Sequence, residues 1–68
     1  MHEALKTDQY KQARDLLQQG QTFSMYNDHH ECKVITPHFF NLRDLRNYFK
    51  FCYTMDEPIT EVVHGRPF

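Results

Sequence analysis

Between Ala4 and Gln19, apolar and polar residues recur with the period of an α-helix. At 100° per residue, Leu5, Tyr10, Ala13, Leu16 and Leu17 gather on one side, with Asp8, Lys11, Gln12, Asp15 and Gln18 on the other. The pattern predicts an amphipathic helix. Thr7 is suited to cap a start at Asp8, Lys11 and Asp15 have i,i+4 ion-pair spacing, and Gly20 is placed to end the helix.

Beyond the glycine the pattern changes. Residues 22–27 and 31–36 are rich in β-branched and aromatic side chains, and Asn27, Asp28, His29 and His30 separate them, which predicts a β-hairpin. Pro37 ends the second strand because it has no N–H to donate and restricts the residue before it. With Phe23, Met25, Cys32 and Val34 turned toward the helices, Tyr26 and Ile35 are expected on the uncovered side.

Asn41, followed three residues later by Asp44, has the form of a capping box and predicts a second helix from Leu42 to Thr54. Leu42, Leu45, Phe49, Cys52 and Tyr53 occupy about a third of its circumference and form the expected core face. Residues 55–58 read as a turn and 59–63 as a short third strand. The whole chain, 1–68, is expected to be one α+β domain of order α-β-β-α-β. Its two layers would place both helices on one face of a short, mainly antiparallel sheet. Nothing in the pattern sets the strand order.

Composition adds one anomaly. Six Phe and four Tyr in 68 residues exceed what so small a core readily encloses, so some are expected at the surface or against a partner. The net charge of −1 gives no general attraction to nucleic acid or anionic lipid. No apolar run is long enough for a membrane span and the start lacks a secretory profile. With only two cysteines, Cys32 and Cys52, a reduced cytoplasmic setting is the expectation.

The candidate chemistry is sparse. Two glycines cannot build a phosphate-cradling loop, and no G-x-S-x-G elbow is present. His29, His30, Cys32 and His38 are the one concentration of metal-ligand side chains, but without C-x-x-C or H-x-x-x-H spacing they read as turn and core residues, and no metal or cofactor is expected. A nucleophilic pair such as Cys52 with His64 or Cys32 with His38 is disfavoured, since Cys52 falls on the apolar helix face, where burial raises a thiol pKa. The sequence therefore reads as non-enzymatic.

Two surface features remain. Arg43, Arg46 and Lys50 lie within about 60° of one another on the second helix, and Lys33 would extend this basic stripe. Phe51 points nearly opposite Leu42, with Tyr48 at the border of the core face, and a phenylalanine on a helix surface needs a reason. Tyr48, Phe51, Tyr26 and Ile35 are the candidate partner-binding residues. The expected function is a protein-binding module, either self-associating or a small regulator or inhibitor of a larger protein, of a kind carried by phages and other mobile elements. The alternative is a small nucleic-acid-binding or transcription-associated protein that contacts phosphates through Lys33, Arg43, Arg46 and Lys50.

Overall fold

The computed structural model describes residues 3–65. The helical pattern at the start is split in two: a 3₁₀ turn over Glu3–Lys6 is followed by α1 (Asp8–Gln18). Thr7 causes the division. Its backbone is extended, with ψ 155°, while its hydroxyl accepts from the Tyr10 N–H at 3.2 Å and donates to the Ala4 carbonyl at 2.8 Å, capping α1 and holding the preceding turn. At the other end Gly20, at φ 74°, donates to the Leu17 carbonyl and Gln21 to that of Leu16, the two bonds of a Schellman motif. The expected Lys11–Asp15 pair does not form. Asp15 instead meets Arg14 Nε at 3.7 Å, an exposed contact of little energetic weight.

The second helix, α2 (Leu42–Thr54), begins at a complete capping box. Asn41 Oδ1 accepts from the Asp44 N–H at 2.9 Å, and the Asp44 carboxylate accepts from the Asn41 N–H at 3.3 Å. Leu45, Phe49 and Cys52 are buried and Tyr53 is half-buried. Leu42 departs from expectation at 41% exposure: it shares their side of the wheel, but α2 begins beyond the edge of the core.

The sheet contains β1 (Phe23–Asn27), β2 (Cys32–Ile35) and β3 (Ile59–His64), antiparallel throughout and ordered β2-β1-β3. Both helices lie on one face of it, and Phe23, Met25, Ile35, Ile59 and Val62 meet Ala13, Leu17, Leu45 and Phe49 in the core between the layers. A register shift between Tyr26 and Asn27 accommodates one extra residue of β3.

The hairpin phase corrects one expectation. The Asn27 N–H bonds the Glu31 carbonyl at 3.2 Å, leaving a three-residue loop in which His30 takes the left-handed conformation at φ 61°. Asn27 Oδ1 accepts from the His29 and Glu31 N–H groups and steadies this loop. An odd loop places Phe23 opposite Ile35, Met25 opposite Lys33 and Tyr26 opposite Cys32. Ile35 therefore faces the helices and is 1% exposed, while Cys32 and Val34 join Tyr26 on the open side. Their places are the reverse of those expected.

Candidate functional site

The outward face of α2 is built by the same wheel that builds its core face. With Leu45, Phe49 and Cys52 committed inward, Arg43, Asn47, Lys50, Phe51 and Thr54 are left on the other side. Phe51 is 59% exposed, as its position on the wheel predicts. One turn further on, Met55 is 51% exposed, so a contiguous apolar pair sits at the C-terminal end of the helix. Met55 was legible only as part of a turn. The signal that identifies it is the i,i+4 spacing from Phe51, which holds because the helix runs to Thr54 with Met55 as its C-cap.

Arg43 and Arg46 are exposed and Lys50 is half-buried; by the 100° step they lie about 80–140° around the helix from Phe51, on the adjoining side of α2. None of the three lies within ion-pair distance of a carboxylate among the described residues. Lys33 does not join them. It lies on β2 on the helix side of the sheet, with its ammonium 5.6 Å from the centroid of the Tyr48 ring, a cation–π contact on the far side of α2 from Arg43.

Tyr48 is consequently a packed residue, half-buried, with Phe40 against it edge to face at 6.4 Å. Burial pushes its hydroxyl up to about 12, with the neighbouring Cys52 thiol and the Glu57 and Glu31 carboxylates adding to the effect. Burial likewise raises the Cys52 thiol, opposed by Tyr48 and reinforced by Glu57. A cleft of about 190 Å³ opens beside Tyr48, with Met25, Glu31, Lys33, Glu57 and Ile59 in its walls. It carries a protonated phenol, an ammonium and two carboxylates, and the adjacent Cys52 is held as thiol, the unreactive form.

The open side of the sheet holds Tyr26 between Cys32 and Glu61, and Ser24 between Val34 and Val63. Ser24 is buried under these neighbours, and its hydroxyl donates to the Gly65 carbonyl at 2.8 Å. The partner-binding residues expected from sequence are thus dispersed. Phe51 lies on α2, Tyr26 on the open sheet face, Tyr48 in the cleft wall and Ile35 in the core.

Among the described residues, no three His, Cys, Asp or Glu side chains are placed to hold a metal ion, and no helix is long and apolar enough to cross a membrane. Comparison with protein-family models, with curated proteins and with solved structures gave no match.

Proposed function

We propose that this chain is a non-enzymatic protein-binding module, a small regulator or inhibitor that docks on a larger protein through the outward face of α2. The observation that carries this reading is the Phe51–Met55 pair, exposed side by side on an otherwise polar helix face. Water gains nothing from contact with these side chains, and Met55 can adapt its shape to a pocket. Arg43 and Lys50, on the adjoining side of the helix, suit a partner that carries carboxylates to one side of its apolar pocket. Such a surface engages as a helix in a groove, with residues one turn apart as anchors.

Affinity capture from native lysate, run in parallel with wild type, Phe51→Ala and Met55→Ala, tests this. The expected result is a stoichiometric protein partner on wild type that is lost from Phe51→Ala, while the variant melts like wild type. A variant that retains the partner would place the contact elsewhere.

Arg43, Arg46 and Lys50 form no ion pair among the described residues, which favours a second reading, in which the stripe contacts nucleic-acid phosphates. Binding would then weaken steeply with salt and disappear when the three are replaced by Glu. Failure of the wild type to shift DNA or RNA at low salt would retire it.

A further inference from the structure

The two edges of the sheet are treated differently. On β3, the Thr60 and Val62 carbonyls turn away from β1, and α1 covers them: Gln9 Nε2 donates to the Thr60 carbonyl at 3.2 Å and Gln12 Nε2 to that of Val62 at 3.1 Å. Side-chain amides occupy the acceptors that another strand would use.

Among the described residues, no such cover lies along β2. Antiparallel pairing alternates, so the Asn27–Glu31 bond turns the backbone groups of Glu31, Lys33 and Ile35 toward β1 and those of Cys32 and Val34 outward. Among the described residues, no bond outside the regular strands uses the N–H or C=O of Cys32 or Val34. Residues 31–34 are all exposed, and none is proline.

From this edge we infer that β2 pairs with β2 of a second copy of this chain, antiparallel about a two-fold axis at Cys32, joining two sheets into one. The inference is independent of the α2 reading. Its occupant follows from charge and register. In an antiparallel pair across this edge, the outward-turned residues must oppose one another. Setting Cys32 opposite Val34 of the second copy brings Lys33 against Lys33, a like-charge clash. Setting Val34 opposite Val34 brings Lys33 against Ile35 and Glu31 against Pro37, leaving both charges without a partner across the edge. Setting Cys32 opposite Cys32 brings Glu31 against Lys33 of the second copy and, by symmetry, Lys33 against Glu31. These are non-hydrogen-bonded positions, where facing side chains come closest.

A lysine on an edge strand ordinarily deters pairing. Here Glu31, two residues away on the same face, makes the edge self-complementary. The row Glu61–Tyr26–Cys32 on the open face would continue through the axis into its own repeat. A symmetric interface of this kind is isologous and closes at two copies.

Sedimentation equilibrium of the full chain across a concentration series provides the test, with thermal melts confirming that each variant folds. Wild type is expected to dimerise, and more weakly at high salt. Glu31→Lys and Lys33→Glu, each alone, should raise the dimer dissociation constant by about tenfold or more, because each substitution turns two attractive pairs into two repulsive ones. Mixing the two variants should restore a dimer, since one copy then offers two lysines to two glutamates.

Cys32→Pro provides a second route if a charge reversal fails to fold. It removes an N–H that the hairpin does not use, at the first position of the strand, and should leave a folded monomer. A monomeric wild type at every concentration, reversals that dimerise as wild type does, or a mixture that stays monomeric would each overturn the proposal.

Discussion

The rings of Tyr10 and Phe49 meet edge to face, their centroids 5.1 Å apart and their planes at 73°. This contact joins α1 to α2 above the sheet, with Phe49 fully enclosed and Tyr10 half-exposed beside Arg14.

Removing Phe49 therefore removes the centre of the helix layer. Phe49→Ala is expected to cost about 3–5 kcal/mol, a large share of the roughly 5–15 kcal/mol that holds a domain together. Tyr10→Leu, which loses the aromatic pairing and retains an apolar side chain, should cost about 0.5–1.5 kcal/mol. Urea unfolding of both, with Phe51→Ala as the exposed comparator, checks the ranking. A Phe51→Ala loss as large as that of Phe49→Ala would remove Phe51 from the surface and the α2 reading with it.

The glutamine caps predict an aggregation phenotype. Gln9→Ala with Gln12→Ala should lose about 0.5–1.5 kcal/mol per bond and also free the β3 edge. Light scattering that grows with protein concentration is the expected readout. Gln12→Glu keeps the side-chain length but has no donor, and should resemble the alanine variant.

Tyr48 predicts an alkaline transition. Its hydroxyl is raised from 10.0 to about 12 in the folded state, mainly by burial, so the folded chain holds this proton more tightly than the unfolded chain. The resulting stability is fully present below about pH 10 and is lost as pH rises toward 12. Cys52, raised from 9.0, acts in the same direction from a lower pH. Melting temperatures between pH 8 and 12 should fall more steeply for wild type than for Tyr48→Phe, which has no phenol to ionise. Equal slopes would show that Tyr48 is not held in its protonated form by the fold.

Much of this architecture was legible in short stretches of sequence. Thr7, Gly20 and the Asn41–Asp44 pair act on backbone groups within a few residues of themselves, and their bonds form where the spacing predicts. The 3.6-residue period also placed Phe51 outside and Phe49 inside, because a helix long enough to sample all directions leaves little choice of face. The second strand offered no such redundancy. CKVI offers Cys32 and Val34 in one phase and Lys33 and Ile35 in the other, so local polarity favours the phase that the structure rejects, and the phase depends on whether the loop before it is odd or even. His30 makes the loop odd by taking a left-handed conformation that glycine would have announced.

Local chemistry along the chain thus determined the helices, their ends, the order of elements and the exposure of Phe51, since each of these depends on neighbours within one or two turns. Only the tertiary structure decided that Ile35 is core and Cys32 surface, that β1 is the central strand, that Lys33 faces Tyr48, and that α1 seals one sheet edge with Gln9 and Gln12. These are matters of register and of contacts between residues up to 51 positions apart. No local period encodes them, because their energies arise only when the sheet and the helix layer have met.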